Sequence, residues 1–498
     1  VIRFVSAQEM ARIDRTAQEE YGIPGMLLME QAGVKAFQMC CQTYPEKLKK
    51  ASQMVFFAGK GNNGGDALVM AREAAVQGFS DITVIQLSLS PNETLSMHLQ
   101  ICSRMGIRIL RWEEDSDDIK RVLSSCDVIF DGITGTGLTS PLRGKAKDAV
   151  TLMHSSRAFV ISIDLPSGLY PESGQGDVIV KADCTAVMGL YKTSCWLPNT
   201  RKYCGELFLV NPGFPSSLLD QAETEGLVLE PDTDCVLPPV PPEAYKTVRG
   251  FVTVLAGSAQ YPGAARLASQ AAMATRAGMV SLLCDRELQQ IMASSLWESI
   301  ILQPPEEGIP ERSTALLCGP GWGRDRSRDE LLESVLNVSL PAVIDADALA
   351  VLARLRPGRR IDFRGNAVLT PHPGEFRMLT DDPSPVHQAA VNLAKELQAW
   401  IVYKTYVTLI AGPEGECFAA DVTNPAMGTA GSGDVLSGII AGLLAEGLSP
   451  KQAALTGVLL HYKAGKLAKE RYGWFSSHQL LYTVSQVIFQ SEGQDEIS

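Results

Sequence analysis

The chain has no Cys-x-x-Cys pair, although it carries eleven cysteines in 498 residues. Without that spacing neither a zinc site nor a dithiol redox motif is indicated. Cys40 and Cys41 are adjacent and too constrained to bridge each other in ordinary geometry. A scattered, odd-numbered set reads as buried free thiols in a reducing compartment. Nor does any apolar run approach the ~20 residues needed to span a bilayer. The opening residues, VIRFVSAQEMARIDR, lack the apolar centre of a signal peptide. A soluble, cytoplasmic protein is expected, with a processed or trimmed start, since the first residue is Val rather than Met. No Lys/Arg block appears, and the formal net charge is −12. Nucleic acid and anionic membranes are therefore excluded as expected partners. An anionic ligand has to be held by local amides and a few basic residues, against the overall field. No short-period repeat is present.

What is there is enough apolar sequence for full cores, at 45% apolar and 20% charged residues. The length suggests more than one domain. The clearest seam is PDTDCVLPPVPPE, residues 231–243, whose five prolines oppose a helix or a central strand. Residues 1–225 and 244–498 then read as two domains, with 226–243 as a Pro-rich linker. On each side short β-branched runs alternate with helical patterns. Before the seam, strands are expected near 54–58, 82–87, 127–131, 159–164 and 206–210. After it they are expected near 251–256, 279–283, 315–318, 342–345, 366–370 and 400–404. Helices such as Asp66–Gln77 and Ala264–Ala277 fall between them. The pattern is that of α/β domains, parallel sheets covered by helices. Ligands in such folds sit beyond the carboxyl ends of the strands.

In the second half, Gly428-Thr-Ala-Gly-Ser-Gly-Asp434 precedes a small, apolar helical stretch. Gly431 and Gly433 let the backbone approach an anion, and the helix N-terminus presents amide N–H groups. Asp434 in the first turn is placed to deprotonate a hydroxyl. Alone, the loop reads as a capped helix start. Its company changes the balance. Asp345 and Asp347 follow the strand AVID, as an active-site floor, a magnesium–water site or a helix cap. His372-Pro-Gly-Glu375 follows NAVLT, and Lys404 ends WIVYK within reach of a nucleotide phosphate. Gly319-Pro-Gly321-Trp-Gly323 and Pro262-Gly-Ala264 flank the same edge.

In the first half, Gly59-Lys-Gly-Asn62-Asn63-Gly64-Gly65-Asp66 contains GxGxxG between a strand and a helix. The acidic residue that a dinucleotide fold needs at the end of the next strand is absent, since that strand ends Ile85-Gln86-Leu87. Ordinary NAD binding is therefore not indicated. Asp131 ends a strand and is followed by Gly135-Thr136-Gly137-Leu138; Asp164 ends another, followed by Pro166-Ser167-Gly168. Asn63, Asp131 and Ser167 gather oxygens suited to one monovalent cation. Asp164 is left for proton transfer, and Lys192 is placed to pair with it or with a phosphate.

These motifs carry a resemblance. Through LLMEQAG (27–33), GNNGGDALVMAR (61–72), DGITGTGL (131–138) and IDLPSG (163–168), the first half resembles NAD(P)H-hydrate epimerases. Through GPGWG, VIDADAL, LTPHPGE and GTAGSGDVLSG, the second half resembles ADP/ATP-dependent NAD(P)H-hydrate dehydratases of the ribokinase-like superfamily. The resemblance covers nearly the whole chain and implies two three-layer α/β domains, Rossmann-like then ribokinase-like. It implies repair of hydrated NADH and NADPH. The first half would interconvert the R and S hydrates; the second would dehydrate the S form with ADP, giving NAD(P)H, AMP and phosphate. Asn62, Asn63, Gly64, Gly65, Asp66, Gly135, Thr136, Gly137, Leu138 and Asp164 match the epimerase substrate contacts. Asn63, Asp131 and Ser167 match potassium ligands. Ala264, Gly321, His372 and Asp434 match contacts to the hydrated nicotinamide nucleotide. Lys404, Thr405, Tyr406, Val407, Thr408 and Gly433 match the ADP or ATP site, with Mg2+ implied there. Asp164 and Asp434 are the catalytic candidates. Such relatives commonly form homo-oligomers. Residues 135–144 read GTGLTSPLRG where the family reads GTGLRG, which moves the arginine to Arg143; Glu30-Gln31 stands where Glu-Asn is usual. The rival reading makes the second half a vitamin or sugar kinase and the first a non-catalytic binding module.

Overall fold

The computed structural model describes residues 2–173, 176–235, 237, 239–296 and 300–492. Val236 and Pro238 of the Pro-rich segment, and the extreme ends of the two expected domains, lie outside these. The chain folds as two compact units, one of Ile2–Gly226 and one from Leu227 onward.

The first unit contains β1 (Ile2–Val5), β2 (Met54–Ala58), β3 (Ile82–Gln86), β4 (Arg108–Arg111), β5 (Val128–Gly132), β6 (Phe159–Ile163), β7 (Cys184–Met188), β8 (Tyr191–Lys192) and β9 (Glu206–Val210). Seven of these form one sheet in the order β4-β3-β2-β5-β6-β7-β9, every pair parallel. The order reverses between β2 and β5, the switch point at which doubly wound sheets bind ligands. Strand β2 shows why the sheet is covered on both faces. Met54, Phe56 and Ala58 enter one core with the helices Gly25–Thr43 and Asn62–Val76, while Val55 and Phe57 enter the other. That is the period of two of a strand buried on both sides. β1 pairs parallel with β8, setting Val5 opposite Lys192.

The second unit contains β10 (Gly226–Val228), β11 (Phe251–Leu255), β12 (Met279–Leu283), β13 (Ile300–Gln303), β14 (Ala315–Cys318), β15 (Ala342–Ile344), β16 (Ala367–Leu369), β17 (Trp400–Tyr403), β18 (Val407–Ala411) and β19 (Cys417–Asp421). Their order is β13-β12-β11-β14-β15-β16-β17-β18-β19-β10. The run from β13 to β17 is parallel. β17, β18 and β19 are antiparallel, which the alternating pattern did not anticipate. The short turn through Gly412 and Gly415 (φ 101°) closes a hairpin where a crossover helix would otherwise stand. The helix Ser432–Ala445 crosses the helix Pro262–Ala274 closely, because a Cβ on Gly438 would lie 2.4 Å from the Ala268 carbonyl oxygen. This contact fixes the direction of the helix that carries Asp434.

Two boundaries differ from expectation. Within the segment read as a linker, Leu227 and Val228 pair parallel with β19, and Pro231–Asp234 forms a helical turn. Pro231 takes the first helical position, where its missing N–H costs nothing. The helix expected from Asp66 starts at Asn62, so the NNGGD run is its first turn rather than a loop.

Candidate functional sites in the two units

In the first unit, Gly59–Gly61 turns the chain from β2 into the helix Asn62–Val76. Gly64 is required there, because a Cβ would lie 2.2 Å from the Gly59 carbonyl oxygen. The turn is thus folded back on the helix start, with Asn62 exposed at its rim and Asn63 half-buried. Asn63 Nδ2 donates to the carbonyls of Thr134 (2.9 Å) and Ile163 (2.7 Å), tying together the ends of β5 and β6. Gly135 packs on the Asn63 side chain, a Cβ there being 2.6 Å from Asn63 Oδ1. Leu138 N–H closes a turn to Gly135 O at 3.2 Å, which leaves Gly137 exposed and half-buries Thr136 and Leu138. Arg143, the displaced arginine, is exposed before the helix Gly144–Met153.

Asp131 is wholly buried at the end of β5. It accepts from Ser162 Oγ (2.9 Å), Ser167 N (2.8 Å), Ser167 Oγ (2.5 Å) and Ile133 N (3.3 Å). Burial raises its carboxyl, and these four donors oppose the rise without cancelling it. Asp131 and Ser167 are therefore in direct contact, with Asn63 reached through Thr134, whose N–H donates to Ser167 Oγ at 2.8 Å. The cluster offers one carboxylate, a hydroxyl, an amide and two carbonyl groups, with no cationic side chain hydrogen-bonded to Asp131 among the described residues. That donor set suits a monovalent cation.

Asp164 has φ 66°, a strained value for a non-glycine residue at a strand end. Its Oδ1 accepts from Met188 N (3.1 Å) and from Lys192 Nζ. Lys192 is fully buried and also donates to Met188 O at 2.6 Å. Asp66 is buried close by. Burial, then the charges of Asp164 and Asp14, push its carboxyl well above the usual range, with Lys192 opposing. Asp66 and Asp164 therefore share the field of one buried lysine. The contribution of Asp14, on the helix Ala7–Glu19, carries no sequence signal beyond an ordinary helical acid.

In the second unit, Gly431 (φ 89°) turns the chain into the helix Ser432–Ala445 and sets Asp434 in its first turn. Burial pushes the Asp434 carboxyl up to about 7, reinforced by Asp345, Glu375 and Asp347 and opposed by Lys404. Lys404 Nζ donates to Asp345 Oδ1 at 2.6 Å and stands 3.5 Å from where a Gly433 Cβ would be. Asp347 accepts from Gly323 N (2.9 Å) and Arg324 Nε (2.8 Å). The two carboxylates read as a magnesium floor or a cap are thus each engaged by a cation, and the N-cap position is Ala346. Among the described residues no three His, Cys, Asp or Glu side chains are grouped to hold a metal.

His372 caps the helix Pro373–Leu379, its Nδ1 accepting from Gly374 N at 2.9 Å. Its own N–H donates to Glu375 Oε2 at 2.8 Å. The imidazole is half exposed, so capping and ligand contact are compatible. Gly321 (φ 59°) meets Ala264 directly, a Cβ there being 2.8 Å from the Ala264 Cβ.

Beside the Gly431 turn lies a cleft of about 520 Å³, lined by Lys404, Thr405, Tyr406, Thr408 and Gly433. Val407 does not line it. Its side chain is wholly buried within β18, because neighbours along a strand face opposite ways. Asn424 and His461 also line the cleft, and neither was singled out in the sequence. His461 sits inside the long helix Pro450–Tyr472, where nothing local marks it.

The family model described as NAD(P)H-hydrate dehydratase matches residues 252–486, and the one described as YjeF-related protein N-terminus matches residues 26–194. The bifunctional NAD(P)H-hydrate repair enzyme Nnr of Moorella thermoacetica is 32% identical over 499 residues, covering 94% of this chain and 93% of its own. The enzyme of the same name from Escherichia coli is 30% identical over 481 residues, covering 94% and 90%. A ribokinase-like superfamily protein of Enterococcus faecalis has a similar fold, with a TM-score of 0.50 and 24% identity, over 54% of this chain and 96% of that one.

Proposed function

The chain belongs to the family of bifunctional NAD(P)H-hydrate repair enzymes, and from that premise we propose how its two units divide the chemistry. The enzyme repairs hydrated NADH and NADPH, with an epimerase unit and a dehydratase unit.

Hydration adds water across C5–C6 of the reduced nicotinamide, leaving a hydroxyl on the carbon beside the ring nitrogen. That carbon readily loses its configuration, giving R and S hydrates. In the first unit Asp164, held by Lys192 and the Met188 N–H, moves the proton that opens and recloses this centre. Asp66, buried among like charges, keeps its own proton and serves as a neutral donor. The first-turn amides at Asn62 and Asn63 face the dinucleotide phosphates, with Thr136 and Gly137 on the opposite rim. Asp131, Ser167 and Asn63, with the Thr134 and Ile163 carbonyls, would hold K+, whose charge would offset that of the buried Asp131.

In the second unit the S hydrate needs a better leaving group than hydroxide. Asp434 takes the proton of its hydroxyl, and the freed oxygen attacks the terminal phosphorus of ADP, releasing AMP. Phosphate then leaves from C6 with its bonding electrons, C5 gives up the proton it gained on hydration to the departing phosphate or to water, and the C5–C6 double bond re-forms, yielding NAD(P)H. The amides of Gly431 to Gly433 stabilise charge on the transferring group, at about 3–4 kcal/mol for a well-placed donor. Ala264, Gly321 and His372 position the hydrate, while Lys404 and the 405–408 turn hold the nucleotide. Mg2+ would arrive on the phosphates with its waters, since the local carboxylates are already paired. The eleven free thiols suit a reducing cytoplasm.

The observation that carries this reading is Asp434 itself: a carboxyl in the first turn of a glycine-led helix, poised at about 7, beside Lys404. The test supplies S- and R-hydrates of NADH with ADP or ATP and follows the return of the reduced-nicotinamide absorbance. Stable phosphorylation of a small alcohol, with no recovery of NADH, would instead make the second unit a kinase.

A further inference from the structure

The cleft beside the Gly431 turn is lined by groups of two characters. Lys404, Ser432 and Gly433 bring a cationic head and backbone amides. Val422, Met427, Leu436 and Val458 bring apolar surface that makes a slot suited to a flat ring. In the wall of that slot, among the described residues, two buried polar atoms have no hydrogen-bond partner: His461 Nε2 and Asn424 Nδ2.

The chemistry of each atom is set by its other hydrogen bond. Asn424 Oδ1 accepts from Ala426 N at 3.1 Å, as the cap of the turn Pro425–Met427. That fixes the amide orientation, so the free atom is an N–H donor. His461 is hydrogen-bonded to the backbone of Ser432, the first residue of the Asp434 helix. That contact favours the protonated ring, so its acceptor is the Ser432 carbonyl; with Nε2 unpartnered the donor is then Nδ1, which leaves Nε2 the lone pair of the neutral ring. The ring stays neutral at physiological pH, since burial drives it down to about 4 and Lys404 adds to the effect. A bare acceptor and a bare donor in one slot are costly unless a ligand meets both.

We infer that His461 and Asn424 read the nucleotide base, His461 Nε2 accepting from the adenine 6-amino group and Asn424 Nδ2 donating to the adjacent ring nitrogen. Adenine presents a donor beside an acceptor on the edges that carry its amino group; a 6-oxopurine puts an acceptor where the donor should be. Its 6-oxygen would face the imidazole lone pair. The Ser432 link also joins base recognition to the helix start that bears Asp434. The inference rests on this cleft being the nucleotide site.

The test uses the full chain and isothermal titration with ADP, the diphosphate of purine riboside (no 6-amino group), inosine diphosphate, and 1-deaza- and 7-deaza-ADP. Wild type is expected to bind ADP at least about tenfold more tightly than the purine riboside and inosine diphosphates. It should reject one of the two deaza analogues by a similar factor. In His461→Phe the preference for ADP over purine riboside diphosphate should fall to within about twofold, and Asn424→Ala should erase only the deaza preference. The wild-type arm depends on no variant folding. If wild type binds ADP and the purine riboside analogue alike, or if the preference survives in His461→Phe, the base-reading role is overturned and the nucleotide site stands. If wild type binds no adenine nucleotide, the site assignment falls and the inference with it.

Discussion

Replacing Asp434 by Asn separates what this residue does for chemistry from what it costs the fold. An aspartate in the unfolded chain titrates near ~3.9, whereas burial and the charges of Asp345, Glu375 and Asp347 bring Asp434 to about 7. Below about pH 4 both states hold the proton, and the carboxyl contributes no difference in stability. Between about pH 4 and 7 the unfolded chain releases the proton and the folded chain keeps it, so stability falls as pH rises. Above about pH 7 both states are ionised, and the full cost is present: a ceiling of about 4 kcal/mol, reduced to about 2–3 kcal/mol by solvent screening of a partly exposed group. The neutral amide introduced by Asp434→Asn carries no such cost. The Asp434→Asn protein is therefore expected to be more stable than wild type at pH ~8, with the gap closing towards pH ~5. Calorimetry or urea titration of the full chain at several pH values measures it, and the dehydratase unit's transition should move by several degrees. Dehydration of the S hydrate should drop by about 10²–10⁴-fold or more with loss of the base, while epimerisation stays within about twofold. A variant no more stable than wild type at high pH would refute the idea of a carboxyl poised by burial. Equal loss of both activities would refute the division of labour.

Four further outcomes follow from the same geometry. The acid limb of kcat/KM for dehydration should show an apparent pKa of about 7, and Asp345→Asn, by removing the like charge that acts most on Asp434, should move that limb to lower pH; a limb that stays put would detach Asp345 from the poise of Asp434. Asp164→Ala should slow conversion when the R hydrate is supplied and leave S-hydrate conversion unchanged. Lys192→Met should do the same and also cost the first unit about 3–5 kcal/mol by stranding a buried carboxylate, read as a lower unfolding midpoint. Gly64→Ala should abolish epimerisation, because its Cβ meets the Gly59 carbonyl oxygen at 2.2 Å and must open the turn; normal epimerase activity in that variant would show that the helix start tolerates displacement.

Much of this was legible in the chain itself. The parallel strands and their helices follow from alternation of β-branched runs with helical patterns, because a strand buried on both faces has no polar positions to spare. Asp131, Asp164, Ser167 and Lys404 stand at or just beyond strand ends, with Asn63 and Asp434 in the first turns of helices, and strand ends are where a parallel sheet gathers its side chains. The antiparallel hairpin Val407–Ala411 and Cys417–Asp421 was not legible, since its period of two does not reveal strand direction. Nor was the Leu227–Val228 strand, hidden beside a proline-rich run.

What the sequence determined by itself is which chemical groups stand at which strand ends, and thus the class of reaction they serve. Only the tertiary structure decided their state. Asp345 is spent on Lys404, Asp347 on Arg324, and Val407 faces the core. Asp434 is lifted to about 7 by burial, reinforced by carboxylates distant along the chain. His461, unremarkable in the middle of a long helix, becomes part of a binding wall. Proton affinity and hydrogen-bond vacancy depend on distance and burial in three dimensions, and no local pattern in the chain encodes either.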